Sequence, residues 1–180
     1  MNNSSKRTKQ MVLLAIFSAF MLIFGYIEKS IPLVPAVPGI RLGLSNIVLI
    51  YALVLMGFKP AAYLIFIKVS LGGILFLGPI GTMYTLAGSV LSLVSMYIVL
   101  RFKLFNIVGM SIIGSVAHMI GQLIVAYFNL GWLVVLANLP FLLIASAVSG
   151  AFIGILSIYL LRHISKIYTE YRDKLEELGV

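Results

Sequence analysis

The sequence predicts an all-α integral membrane protein, folded as a bundle of six transmembrane helices. Of its 180 residues, 62% are hydrophobic and only 10% are charged, and the mean hydropathy is +1.14. A soluble domain carries about 25% charged residues, so this chain has too little polar surface to cover itself in water. Its apolar residues also fall into long successive segments, and about 20 such residues suffice for a helix to cross a bilayer.

Proline, glycine and basic residues separate these segments, as at Lys59-Pro60 and Gly78-Pro79. The second segment is short, and we expect it to tilt little or to lie partly inside the bundle. A further apolar stretch at 132–137 is predicted to be an interfacial or re-entrant lead-in, broken at Pro140. The six predicted spans are 11–28, 42–57, 60–77, 80–101, 105–128 and 139–162.

Three regions follow from this pattern. Residues 1–10 form a basic cytoplasmic N-terminus, 11–162 the transmembrane domain, and 163–180 an amphipathic cytoplasmic tail helix. The tail repeats apolar residues at helical spacing with charges between them. A helix lying along the membrane surface is favoured for it over a helix dedicated to binding a partner.

The basic residues predict the orientation of the bundle. If the N-terminus is cytoplasmic, ten of the 13 Lys and Arg residues lie on the cytoplasmic side, against Lys29 and Arg41 outside, with Lys68 inside a span. Such a bias predicts that both termini face the cytoplasm, and the plasma membrane is the expected location. The net charge of +8 is therefore a topology signal, and no nucleic-acid partner is expected.

The acidic residues exclude most catalytic chemistry. Four of the five lie in the tail, and the fifth, Glu28, is interpreted as a solvated helix end. The sequence offers no carboxylate pair inside the bundle for acid–base work and no glycine-rich phosphate loop. We therefore expect no enzyme activity, no metal site and no cofactor. A carrier driven by an intramembrane acid is also disfavoured.

Polar residues within the spans predict a small-molecule site in the outward half of the bundle. Lys68 lies near mid-depth, where a lysine costs about 2.5–3.5 kcal/mol on insertion scales, so function is favoured over snorkelling or structural pairing. For Arg41, Asn46, His118 and Gln122 a ligand contact and a structural role are equally favoured, and for Tyr84 and Asn138 a structural role is preferred. The predicted substrate-binding residues are Arg41, Asn46, Lys68, Tyr84, His118, Gln122 and Asn138.

Small residues recur at three- or four-residue spacing in three predicted spans. This spacing lets helix backbones approach closely, and packing within the bundle is the favoured interpretation for any one set. The sets are Ala15 and Ala19; Gly114, Ala117 and Gly121; and Ser146, Gly150 and Gly154.

Two longer motifs resemble a known family. Residues 38–48, PGIRLGLSNIV, and 115–123, SVAHMIGQL, together with 139–154, are similar to the Gx transporter family, also labelled heptaprenyl diphosphate synthase component I. The Pro/Gly loop and the small-residue motif of the first helix further resemble the S components of energy-coupling factor (ECF) transporters. The resemblance covers about residues 10–162.

The resemblance implies a membrane subunit that captures a small molecule on its outer face. It would dock on a transmembrane coupling subunit driven by two cytoplasmic ATPases, with Ala15 and Ala19 at that interface. The ligand itself does not carry over; the basic and amide groups favour an anionic or polar heterocyclic molecule. Lys68 is a departure, since the family pattern leads one to expect arginine there.

The synthase label gives the alternative function. Prenyl synthases hold Mg²⁺-diphosphate with aspartate-rich motifs, whereas the only aspartate here is Asp173, in the tail. The chain cannot carry that catalysis itself. A non-catalytic accessory subunit for isoprenoid or quinone synthesis is therefore the second hypothesis, ahead of a standalone secondary carrier.

Overall fold

The computed structural model describes residues 3–30 and 43–167, and the regular structure in these ranges is helical. Two helices end in π-helical stretches: α2 continues through Ala52–Met56 and α3 through Gly73–Leu77. The helices are α1 (Asn3–Ser30), α2 (Asn46–Tyr51), α3 (Phe58–Gly72), α4 (Gly78–Arg101), α5 (Ile107–Leu130) and α6 (Trp132–Ile167).

Four helical stretches in the described ranges are long and apolar enough to cross a membrane: Gln10–Ser30, Phe58–Arg101, Ile107–Leu130 and Trp132–Leu161. The second of these is 44 residues long and is divided at Gly78, whose φ of +67° is left-handed and suits glycine. These stretches confirm an all-helical protein built for a membrane.

The chain turns back on itself between α3 and α4. A Cβ built on Gly73 would come within 2.6 Å of the Thr82 hydroxyl, so the end of α3 packs against the start of α4. The end of α3 also meets the end of α1, because Gly25 lies against the Phe76 ring. The ends of α1 and α3 therefore lie at the same end of the bundle as the start of α4.

Glycines allow α4, α5 and α6 to pack as antiparallel neighbours. A Cβ on Gly121 of α5 would come within 2.6 Å of the Ala87 carbonyl oxygen of α4, and one on Gly150 of α6 within 2.8 Å of the Ile112 Cα of α5. Such distances are shorter than real contacts, so only glycine permits the two backbones to approach this closely. The predicted small-residue packing within the bundle is confirmed for the sets on α5 and α6, but not for Ala15 and Ala19, which are exposed.

Helix α2 lies inside the bundle. Residues 46–54 are all buried, and α2 contacts α1, α4, α5 and α6. Its approach begins beside His118, where a Cβ on Gly43 would lie 3.8 Å from the ring, and the Tyr51 hydroxyl donates to the Ser157 carbonyl of α6 at 3.0 Å. Eleven residues from Asn46–Met56 rise only about 16 Å. The expectation that this segment lies inside the bundle is confirmed, and it covers about half the depth of its neighbours.

Helix α6 differs from its prediction. It runs through 132–137 without a break, and Pro140 lies inside it, so the predicted separate lead-in is wrong. Proline removes one backbone hydrogen bond, but membrane helices tolerate it because neighbouring helices and local adjustments satisfy the freed groups. At its other end α6 continues to Ile167, and the rest of the predicted tail helix lies outside the described residues.

Candidate ligand-binding site

The buried polar residues meet where the chain enters α2. Gly43 has a φ of +83°, which favours glycine, and its carbonyl accepts a hydrogen bond from the Asn46 backbone N–H at 2.8 Å. This turn delivers Ser45 and Asn46 into the interior, where they are 0% and 2% exposed. Of the predicted site residues, Asn46 is thus a fully buried amide at the start of a buried helix.

Ser45 joins two opposite charges. The Glu28 carboxylate accepts hydrogen bonds from the Ser45 backbone N–H at 3.3 Å and from its hydroxyl at 3.4 Å. The Lys68 ammonium donates to the same hydroxyl oxygen. Both charged side chains are buried, at 4% and 3% exposure. We call Glu28, Ser45 and Lys68 the charged triad.

The interpretation of Glu28 as a solvated helix end is wrong. Helix α1 continues to Ser30 and brings Glu28 against the start of α2. The amino end of a helix carries unpaired N–H groups and a partial positive charge, both of which stabilise a carboxylate. Glu28 is therefore a site residue that the sequence did not reveal, because its partners lie on segments whose path the sequence does not give.

Lys68 is placed where a snorkelling role does not fit. Its ammonium lies in the interior beside Ser45, whereas a snorkelling lysine extends its charge to the interface. Removing one partner from a buried ion pair typically costs about 3–5 kcal/mol. The structure therefore leaves structural pairing and ligand contact as the two roles of Lys68.

His118 and Gln122 form a second polar pair on α5. Both are buried, and the Gln122 amide nitrogen lies 3.1 Å from His118 Nε2. An amide nitrogen can only donate, and a ring nitrogen can accept from it when the imidazole is uncharged. The ring fits because position 88 is glycine: a Cβ there would lie 2.9 Å from His118 Cε1. Gly43 and Gly88 are thus further residues that shape the site, and spacing in the sequence did not single them out.

The Asn46 amide nitrogen has no hydrogen-bond partner among the described residues, although it is fully buried. Leaving a buried donor unsatisfied costs about 1–3 kcal/mol, and native proteins seldom do so without a reason. We call Asn46, His118 and Gln122 the amide–imidazole group. It is the part of the structure best suited to contact a polar ligand.

Four serine hydroxyls extend this polar interior along α4 and α5. They are buried and lack a hydrogen-bond partner in the described part of the chain, whereas Ser18 and Ser146 bond a carbonyl of their own helix. Two of the four, Ser111 and Ser115, precede His118 on α5 and pack against glycines of α6. Unsatisfied hydroxyls favour a hydrated interior. The four are Ser89, Ser92, Ser111 and Ser115.

The remaining predicted site residues have other surroundings. Tyr84 is buried in an apolar cluster that includes Met119 and Leu142. The Asn138 amide is half-buried and donates to the Val134 carbonyl of its own helix at 2.9 Å. These contacts agree with the structural role preferred for both. Arg41 lies outside the described residues.

The predicted partner residues lie on the outer surface of the bundle. Ala15 and Ala19 are exposed on α1, between large apolar residues such as Ile16 and Phe20, which are 45% and 48% exposed. In a membrane this face meets lipid or another protein. Within the described ranges, no group of three or more His, Cys, Asp or Glu side chains could hold a metal ion.

Long apolar helices around a buried polar centre define an integral membrane protein with an internal polar site. The chain belongs to the family described as heptaprenyl diphosphate synthase component I, whose model matches residues 17–160. This confirms the family that the two motifs indicated. The description names one component of a synthase, which agrees with a membrane accessory protein. Comparisons with curated proteins and with solved structures return no match.

Proposed function

We propose that this protein is the substrate-binding subunit (S component) of an ECF-type, ATP-driven uptake transporter. It captures a small polar molecule on the outer face of the plasma membrane. The observation that carries this proposal is the buried, unsatisfied amide of Asn46 beside His118 and Gln122. A buried donor of this kind is expensive unless something binds it, and a ligand acceptor would satisfy it.

The depth of the site supports this role. Asn46 is the first residue of α2, which starts at the level of His118, near the middle of α5. The amide–imidazole group therefore faces the half of the bundle that α2 does not itself occupy. Under this proposal the bundle crosses the membrane six times with both termini cytoplasmic, so that this half is the outward one, as the distribution of Lys and Arg also predicts.

Binding in this subunit requires no bond chemistry. Asn46 donates to the ligand, Lys68 and Gln122 add hydrogen bonds, and His118 supplies the wall of the site. ATP hydrolysis takes place in two cytoplasmic ATPases, and a transmembrane coupling subunit transmits it to the bundle. The exposed small residues Ala15 and Ala19 of α1 offer a flat face on which a helix of that subunit can pack closely.

The proposal can be tested by capture of the transporter module, by which we mean the coupling subunit and its two ATPases. Tagged protein purified in mild detergent should recover a membrane coupling subunit and two ATPases, identified by mass spectrometry. Replacing both Ala15 and Ala19 with leucine should lower that recovery at least tenfold, because side chains on this face would hold the helices apart. Ala137→Leu is the matched control, since Ala137 is also exposed but lies on α6. Recovery of no module, or equal recovery by the leucine variant, would contradict the proposal.

The family description supports a second candidate, a non-catalytic membrane subunit associated with isoprenoid or quinone synthesis. The same capture experiment distinguishes the two. A prenyl synthase subunit recovered in place of the ATPases would favour the accessory role, and its recovery should then be insensitive to leucine at Ala15 and Ala19.

A further inference from the structure

We infer that the described part of this site favours a ligand with no net charge, because Glu28 neutralises Lys68 through Ser45. This inference rests on the proposed function for the existence of a ligand. The charge balance itself is a property of the described residues. It narrows the expectation of an anionic or polar heterocyclic ligand to an uncharged one, because that expectation took Glu28 as solvated and did not pair it with Lys68.

The geometry of the charged triad supports the balance. Lys68 donates to the Ser45 hydroxyl, and that hydroxyl, lying 3.4 Å from the second carboxylate oxygen, is also a donor to Glu28. The first carboxylate oxygen accepts from the Ser45 backbone N–H. One serine thus links the two charges, and all three side chains are at most 4% exposed.

The amide–imidazole group adds no charge to this balance. Gln122 and Asn46 are neutral amides, and the Gln122 amide nitrogen lies 3.1 Å from His118 Nε2, a contact in which an uncharged ring can accept. What the group offers is a donor, the buried amide nitrogen of Asn46. The complementary ligand therefore presents a neutral acceptor, such as an amide carbonyl or an unprotonated ring nitrogen.

Electrostatics then discriminates against ions. Opposite charges attract strongly in a medium of low effective dielectric, and an isolated charge is costly to bury. An anion at this site would have to displace Glu28 from Lys68 or lie beside a second negative charge. A cation would likewise have to displace Lys68 from Glu28 or lie beside a second positive charge. An uncharged polar molecule leaves the pair intact.

The pairing can be tested on the purified full-length protein with a double-mutant cycle of Tm values. Glu28→Gln and Lys68→Gln should each lower the Tm by about 5 °C or more, because each leaves an uncompensated buried charge. The double variant should lose clearly less than the sum of the two. Lys29→Gln is the control, since Lys29 is the exposed neighbour of Glu28. Additive losses would overturn the pairing.

The ligand class can be tested with benzoate and benzamide, an anion and a neutral amide of nearly the same shape. At matched ionic strength, benzoate should raise the Tm of Glu28→Gln, in which Lys68 is unbalanced, and leave the unaltered protein unchanged. Benzamide should not stabilise the variant more than the unaltered protein. Equal benzoate responses in the two proteins would overturn the inference, whether both are stabilised or neither is.

These outcomes are separable from the proposed function. If the module is not captured but the cycle shows coupling, transport is contradicted and the charge balance stands. If the module is captured and the losses add, the transporter role stands and the inference about its ligand fails.

Discussion

At the scale of single residues, Asn46 is the side chain that stability explains least well. It is 2% exposed, and its amide nitrogen has no partner in the described part of the chain. A leucine of similar size would avoid the cost of the unsatisfied donor. A polar group retained at such a cost is best explained by a function.

Asn46→Leu should therefore stabilise the protein and impair binding. We expect the free energy of unfolding to rise by about 1 kcal/mol, and native mass spectrometry should detect a retained small molecule with the unaltered protein but not with the variant. Asn129→Leu, at an exposed amide that bonds its own helix, should leave retention unchanged. A variant that retains the molecule would show that Asn46 does not contact it.

Part of the site could be predicted from the sequence. Because a helix advances by a fixed rise per residue, depth within each span placed Lys68 and His118 near mid-depth and Asn46 and Gln122 in the outer half. The structure buries all four side chains. Glu28 could not be found in this way. Its partner Ser45 lies 17 residues further along the chain, across a loop whose path spacing does not determine.

At the scale of elements, close packing of α5 and α6 depends on glycines that face backbone atoms. Gly150 lies against the Ile112 Cα and the Ser111 carbonyl. Backbone atoms cannot move aside as a flexible side chain can, so an added methyl group must separate the helices. At Gly25 the added methyl carbon would lie 3.9 Å from its nearest neighbour, a Phe76 ring carbon. This is an ordinary van der Waals contact.

Gly150→Ala should lower the Tm, whereas Gly25→Ala should leave it equal or raise it. Alanine is the better helix former by about 1 kcal/mol, and overpacking costs about 1–3 kcal/mol. The overpacking cost applies only at Gly150, and its excess corresponds to a loss of a few degrees. Thermal unfolding in detergent measures both variants; an unchanged Tm for Gly150→Ala would mean that α5 and α6 can separate at little cost.

Most helix positions were predictable because long apolar runs must lie in helices within a membrane. The continuity of α6 through Pro140 was not predictable, since a proline in a membrane helix can end it or be accommodated, and the neighbouring helices decide which. The surroundings of α2 also could not be read from its composition, which is equally apolar whether it faces lipid or protein.

At the scale of the whole molecule, the orientation remains a prediction from the basic residues. The chain contains no cysteine, so single cysteines can report on it without background. Leu104 lies between α4 and α5 and is 56% exposed, and Asn129 near the end of α5 is exposed as well.

Asn129→Cys should react with a membrane-impermeant maleimide in intact cells, and Leu104→Cys only after the cells are permeabilised. This is the result expected if both termini are cytoplasmic and α5 runs outward. The reverse pattern would show that the bundle has the opposite orientation. The amide–imidazole group would then face the cytoplasm, where it could not bind a ligand from outside.

Helix α2 has a consequence for how the protein is made. Its eleven residues rise about 16 Å, well short of the roughly 30 Å of a hydrocarbon core, and its first nine residues are buried among other helices. If a translocon releases segments one by one into lipid, α2 is too short to span the membrane and lacks the neighbouring helices that fix its final depth. We therefore expect the position of this helix to be acquired late in biogenesis, when its neighbours close around it, and the amide–imidazole group to be completed only in that last step.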